Sequence, residues 1–301
     1  LAAIDEVAAL VRELARLHER TVDLLARLAR FSAPGDAQCV RWLDMAGQPR
    51  LSEVPLDMAP ALRALWQDPH AEPGAWDEPV QPPAAQARSW VFTSATLGDD
   101  EQLRWFTETC GVDEARTLRL DSPFDYARQA ALYVPPQLPA ATDPAHSEQL
   151  AHWVADAATR LGGRTLVLTT SLRALQVMAG VLQQRLAVGG GIEVLVQGQA
   201  PKRQIMECFR APADAVGHVL VGSASFWEGF DVPGQALQLL VIDKLPFPSP
   251  GDPLVQARGR RLKQQGRSPL RDDALPAAAL ALKQGAGRLI RSESDTGVLV
   301  V

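Results

Sequence analysis

Residues 284–291 carry a glutamine, a glycine and two arginines spaced Q-x-x-G-R-x-x-R. On a helix, Arg288 and Arg291 lie about one turn apart on one face, and Gln284, four before Arg288, joins them. Two fixed positive charges beside a polar amide suit the oxygens of a triphosphate better than metal or acid–base chemistry. Arginine delivered to a γ-phosphate is one way to accelerate phosphoryl transfer. The plainer alternative is a solvated basic helix end.

Four other segments offer chemistry-bearing side chains. Ser94-Ala95-Thr96 closes an apolar run with two hydroxyls, which serve equally as a turn or helix cap. Thr169-Thr170-Ser171 ends an apolar run where a helix begins. Ser171 is a good N-cap, and a helix N-terminus is suited to phosphate. Residues 223–234 read Ser-Ala-Ser-Phe-Trp-Glu-Gly-Phe-Asp-Val-Pro-Gly. Glu228 and Asp231 flank Gly229 there, placed to accept from a ribose hydroxyl or to orient an arginine or a water. Solvent-facing loop acids are the alternative, and Trp227 reads as a packed residue before a base-stacking one. Asp243-Lys244 leaves another apolar run into Leu-Pro-Phe-Pro-Ser-Pro; Lys244 faces either a phosphate or Asp243.

Neither a G-x-x-x-x-G-K-[ST] phosphate loop nor a D-E-x-H magnesium site occurs in the sequence. The main cradle of any nucleotide therefore lies elsewhere. Cys39, Cys110 and Cys208 show neither metal nor disulfide spacing. Three reduced thiols in a cytoplasmic protein are expected. The five histidines show no ligand spacing.

The elements that must position these residues follow from hydrophobic period. Residues 1–30 read as one amphipathic helix with a stripe of Ile4, Val7, Val11, Leu14, Leu17, Leu24, Leu25 and Leu28. A short strand over 39–43, a helix over 59–66 and a loop over 67–88 come next. The spacing then predicts a strand over 89–93 and a helix over 100–110. From 130 onward, strands at 130–134, 165–168, 192–196, 217–222, 237–242 and 297–301 alternate with helices at 146–161, 171–187, 201–210, 252–265 and 275–287. Near-continuous apolar strands between helices imply a parallel sheet covered on both faces. In such sheets ligands sit outside the carboxyl ends of the strands. Thr169–Ser171, Gln197, Ser223 and Asp243 all fall there.

Composition sets the bounds. The 301 residues are 47% hydrophobic and 22% charged, with a net charge of −5. That is a globular balance with enough length for a full core and no global basic signature. No transmembrane run is present. An apolar-periodic start without methionine and an end inside a strand suggest a piece of a longer protein.

Taken in order, SATL (94–97), SPFDY (122–126), LVLTTSLRAL (166–175), VQGQAPK (196–202), GSASFWEGFDVPG (222–234), DKLPFPSP (243–250) and QGAGRLIRS (284–292) resemble the C-terminal half of a superfamily-two DNA helicase of the XPD/DinG type. The likeness is strongest to the DinG/YoaA-like branch. It covers 89–301 and, weakly, 38–66. The resemblance implies a RecA-like second motor domain over 121–301, preceded over 1–120 by the end of the arch insertion and the tail of the first motor domain. It implies that Ser94 and Thr96 couple nucleotide state to DNA contact. Thr169, Thr170, Ser171, Ser223 and Ser225 would touch the single-strand backbone. Glu228, Gly229 and Asp231, with Gly287, would lie near the nucleotide, and Gln284, Arg288 and Arg291 would supply arginine to the γ-phosphate. ATP, Mg2+ and single-stranded DNA follow, with 5′-to-3′ travel and DNA repair; the cysteines here do not replace the four of the family's iron–sulfur cluster. The rival readings are a non-catalytic RecA-like nucleic-acid-binding module and an unrelated RecA-like nucleotide-binding protein.

Overall fold

A computed structural model describes residues 2–45, 47–67, 89–98, 100–187, 191–211, 216–223, 226, 232 and 236–301. Two compact units emerge. One comprises 1–89, 109–112 and 249–267; the other comprises 90–108, 113–248 and 268–301.

In the first unit, α1 (Ala2–Ser32) is the long helix that the periodicity predicts. From Val7 to Leu28 its apolar stripe is solvent-exposed, with Leu14 at 64% and Leu25 at 61%. Next comes a hairpin of β1 (Cys39–Asp44) and β2 (Arg50–Pro55), antiparallel in register Cys39↔Pro55. The sequence pattern misses β2, because Arg-Leu-Ser-Glu-Val-Pro has no sustained apolar alternation. Glu53 on β2 locks the hairpin: its side chain, only 9% exposed, meets Arg30 at 2.6 Å and Arg41 at 2.7 Å. Two partners around a nearly buried carboxylate offset its desolvation. Helix α2 (Ala59–Gln67) is anchored by Trp66, whose indole N–H donates to Cys110 O at 2.9 Å.

The second unit is an α/β layer structure. Its elements are α3 (Arg104–Cys110, of which the first five residues belong to this unit), α4 (Tyr126–Gln129), β3 (Ala130–Tyr133), α5 (His146–Leu161), β4 (Thr165–Leu168), α6 (Leu172–Ala187), β5 (Ile192–Val196), α7 (Lys202–Arg210), β6 (Gly217–Gly222) and β7 (Leu239–Ile242). Helix α8 (Pro253–Gln264) belongs to the first unit. A π-helical turn (Leu270–Ala274), α9 (Leu275–Ala286) and β8 (Gly297–Val300) then complete the second. Six strands form one sheet in the order β3-β8-β7-β4-β6-β5, every pair parallel.

The alternation of side chains along each strand splits the core in two. On β4, Val167 faces α5 and α6, where Val154, Ala158, Met178 and Leu182 are fully buried. Leu166 and Leu168 face the opposite layer, with Ile205 and Phe209 of α7, Phe226, Leu289 and Ile290. Both faces are therefore covered, as the sequence pattern predicts, and each fully buried Leu contributes about 1.5–3 kcal/mol. At the lower edge of the sheet Gly163 (φ 91°) and Gly217 let two backbones approach; a Cβ on Gly217 would overlap Gly162 O.

Two expectations fail. Residues 89–93 form no strand: Trp90 stacks near Phe92 at 6.4 Å and Phe92 meets Phe106 edge-on at 5.3 Å. An apolar run signals burial, but without a neighbouring strand no ladder forms. The helix predicted over 275–287 stops at Ala286, so Arg288 and Arg291 do not share a helix face. Gly287 is its C-cap, and Arg288 N–H and Leu289 N–H reach back only three residues, to Gly285 O and Ala286 O, tightening the chain into a turn.

Candidate active and nucleic-acid-binding site

The strands end level with one another. Leu168 on β4 is in register with Gly222 on β6 and Ile242 on β7. Thr169, Ser223 and Asp243 are therefore neighbours along one crest, and Gln197 follows β5. The chain leaving β4 enters α6 on one face of the sheet, while that leaving β6 enters the other face at Phe226. This divergence beside β4 is the kind of place where open α/β sheets bind ligands.

Hydrogen bonds tie the crest together. Ser223 N–H and its hydroxyl both donate to Gln197 Oε1, at 2.7 and 3.1 Å. Thr169 N–H donates to Gly222 O at 2.8 Å. Thr170 N–H donates to Asp243 Oδ1 at 2.8 Å, with its hydroxyl 3.5 Å from Oδ2. Beneath Asp243, His146 at the start of α5 places Nε2 2.8 Å from Asp243 O and Nδ1 2.9 Å from Pro139 O. The belt runs from β5 across β6 and β4 to β7. It holds the loop after β4 at fixed height, so Thr170, Ser171 and Arg173 stand exposed on a rigid base. Ser171 Oγ caps α6 by accepting from Ala174 N–H at 3.1 Å.

Asp243 is only 3% exposed. Burial pushes its carboxyl above the ordinary 3.8, against the opposing pull of the Thr170 N–H, the Lys244 charge, the Thr170 hydroxyl and His146. The group is thus a structural acceptor whose charge the fold tolerates at a cost.

A second cluster lies around α9. Gln284 Nε2 donates to Thr96 Oγ1 at 3.4 Å. Thr96 N–H in turn donates to Ser94 Oγ at 3.1 Å, and the two hydroxyls are 3.3 Å apart. Past Gly287 the chain turns through Arg288, half-buried, to Arg291, also half-buried. Leu289 and Ile290 between them are each 4% exposed and anchor the turn in the core. Asp295 closes it, accepting Arg291 N–H at 2.8 Å and Ser292 N–H at 2.9 Å.

The sequence profile of the family "Helicase C-terminal domain" matches residues 154–301, the stretch that carries both the crest and the arginine turn. The ATP-dependent DNA helicase YoaA of Escherichia coli is 41% identical over 218 residues, 72% of this chain and 33% of the relative. The chain belongs to the DinG/YoaA-like helicase family. The ATP-dependent helicase DinG of Mycobacterium tuberculosis is 39% identical over 215 residues, 70% of this chain and 31% of that protein. A relative from Bacillus subtilis, named 3'-5' exonuclease DinG, is 32% identical over 224 residues, 72% of this chain and 24% of the relative. Among solved structures, "Structure of S. tokodaii Xpd4" is similar at 17% identity and a TM-score of 0.41, over 57% of this chain and 34% of that one. The chain spans about a third of the length of the first of these curated relatives. Its six-stranded parallel sheet, covered on both faces, lies largely within the stretch that matches the helicase C-terminal domain.

Within this DinG/YoaA-like lobe the expected site residues divide into three sets. Gln284, Thr96 and Ser94 come together, as do Thr170 and Asp243. Thr169 and Ser223 sit on the crest with their polar groups turned inward. Thr169 is fully buried, its hydroxyl on Ser171 O and Gly222 O, and Ser223 is 8% exposed against Gln197. These two shape the crest, and the exposed groups beside them are Thr170 and Ser171. Ser225, Glu228, Gly229 and Asp231 lie outside the described residues. Gly287 is exposed at the end of α9. Sequence reasoning did not single out Asp295 or Gln129 as functional, although Ser-Glu-Ser-Asp-Thr-Gly before a strand is a turn signature. Among the described residues no group of three or more His, Cys, Asp or Glu side chains could hold a metal ion, and the three cysteines do not fit an iron–sulfur cluster. No helix of the described residues is long and apolar enough to cross a membrane.

Proposed function

We propose that residues 121–301 act as the second motor domain of an ATP-dependent DNA helicase that moves along single-stranded DNA, 5′ to 3′, in DNA repair in the cytoplasm. Residues 1–120 act as the end of an arch insertion and the tail of the first motor domain. The observation that carries this reading is the meeting of Gln284 with Thr96, 188 residues apart in sequence, at 3.4 Å. It joins the residue that leads into the arginine turn to the Ser94–Thr96 segment assigned to coupling. A change at the nucleotide then has a direct route to the DNA contacts.

ATP binds between this lobe and a first motor lobe that supplies the phosphate loop and Mg2+ ligands. Any iron–sulfur cluster is held by residues other than the cysteines of this chain. Arg288 and Arg291 reach the γ-phosphate and stabilise the charge that develops there, with Glu228, Gly229, Asp231 and Gly287 beside the nucleotide. Thr170 and Ser171, at the capped start of α6, hold a phosphate of the strand, with Thr169, Ser223 and Ser225 shaping the track. Repeated closing and opening of the cleft moves the strand along these contacts.

The test is Arg291→Ala in the full-length protein. DNA-stimulated ATPase is expected to fall about 10³-fold or more while single-strand binding persists. Unchanged turnover would remove the arginine from the mechanism and favour the non-catalytic binding module.

A further inference from the structure

We propose that Asp295, braced by Gln129, is a positioning residue for Arg291: it fixes the backbone from which that guanidinium is delivered. The proposal rests on the assignment of Arg291 to the γ-phosphate.

The geometry is specific. Asp295 is 5% exposed. Its Oδ2 accepts both Arg291 N–H at 2.8 Å and Ser292 N–H at 2.9 Å, and its Oδ1 accepts the Ser292 hydroxyl at 2.6 Å. Asp295 N–H donates back to Ser292 O at 3.3 Å. One carboxylate thus gathers three donors from two consecutive residues, the first of which is Arg291 itself. Charge-assisted bonds of this length are about twice as strong as neutral ones and hold their donors in narrow orientations.

A second residue braces the turn from a distant part of the chain. Gln129, at the end of α4 and 9% exposed, donates from Nε2 to Ser292 O at 2.9 Å and to Asp295 O at 3.1 Å. These contacts span 163 and 166 positions. On the other side of Arg291, Leu289 and Ile290 are pinned in the core, and Leu289 packs over Gly297 so closely that a Cβ there would come within 2.6 Å of it. The Arg291 backbone is therefore restrained by the core before it and by a buried carboxylate at its own N–H, and the turn that follows it by an amide 163 positions away in the chain. A turn that only had to close would not need a buried charge, which is costly to desolvate. A turn that must present one long side chain to within a fraction of an ångström does, because misplacing a catalytic group by about 1 Å can cost about 100-fold in rate. Asp295 touches no substrate in this account; it acts through Arg291.

The full-length helicase tests this with Asp295→Asn, which keeps the shape and one acceptor oxygen but cannot take all three donors. The expected result is a kcat for DNA-stimulated ATP hydrolysis reduced about 10- to 100-fold, with KM for ATP within about threefold and single-strand binding unchanged. In an Arg291→Ala background the same change is expected to cost less than about twofold, since residues that act as a unit are not additive. Ser292→Ala, which removes only the hydroxyl bond, gives a smaller loss in the same parameter and serves if Asp295→Asn fails to fold. The proposal is overturned if Asp295→Asn leaves kcat within about twofold of wild type, or if it lowers kcat equally in both backgrounds. A silent Arg291→Ala variant would remove the arginine assignment and this proposal with it, and shows itself in the single Arg291 variant alone.

Discussion

Replacing Asp243 separates two roles that a buried carboxylate can have. Its Oδ1 accepts Thr170 N–H at 2.8 Å, and the Thr170 hydroxyl stands 3.5 Å from Oδ2, so the first bond carries the interaction. Asp243→Ala deletes a hydrogen bond to a charged group, worth about 1.5–3 kcal/mol, and leaves the Thr170 N–H to find water. At about 2–4 °C per kcal/mol for a domain of this size, the melting temperature should fall by about 3–12 °C. Asp243→Asn keeps the acceptor oxygen and the shape while removing the charge. Burial is the largest influence on this carboxyl and raises its pKa, so the charged form is the one the fold disfavours. The native state then binds the proton more tightly than the unfolded chain. Stability is greatest below the ordinary value of 3.8, falls as pH rises from there through the raised native value, and is level above it. Asparagine removes that decline. At pH 7 the Asn variant should melt at or above wild type and the Ala variant below both, with the Asn curve flatter from about pH 4 upward. Thermal unfolding followed by circular dichroism across pH reads all three. If Asn falls as far as Ala at neutral pH, the negative charge itself holds the loop and the burial argument is refuted.

Three further outcomes follow from the same geometry. Leu168→Ala, at a fully buried strand position, should cost about 2–5 kcal/mol in urea unfolding, because both the transfer term and a residual cavity count. Gly217→Ala should cost about 3 kcal/mol by the same measurement, since the added methyl meets Gly162 O, a backbone atom that cannot rotate away. The isolated chain should hydrolyse no ATP and should bind a thymidine oligonucleotide weakly. The log–log dependence of that binding on salt should have a slope of about −0.7 for each phosphate neutralised, and salt-independent binding would contradict a backbone contact at the crest.

The sequence alone determined the elements whose burial is two-sided or strictly periodic. Strands 165–168, 192–196 and 217–222 and the helix 146–161 match their predicted bounds, because strands in a covered sheet are predominantly apolar (β4 entirely buried, the edge strand β5 exposing only Glu193) and a helix against a sheet must repeat its apolar positions every 3.6 residues. Their carboxyl ends, and with them Thr169–Ser171, Ser223 and Asp243, were legible for the same reason. Elements that depend on a partner were not. β2 exists because β1 offers it a ladder and Arg30 and Arg41 neutralise Glu53, while 89–93 lacks such a neighbour and stays irregular. Local spacing left the placement of the two arginines open: it ended the helix at 287 and gave them a common face only if the helix ran on, whereas the buried Leu289 and Ile290 and the carboxylate of Asp295 turn the chain away after Ala286. Residue types and order thus showed which groups were available. Only tertiary structure decided that Gln284 meets Thr96, that Asp243 rather than Lys244 holds Thr170, and that Gln129 braces the arginine turn. Such contacts join positions far apart in the chain, and the free energy that selects them comes from packing two layers on one sheet, which no local window contains.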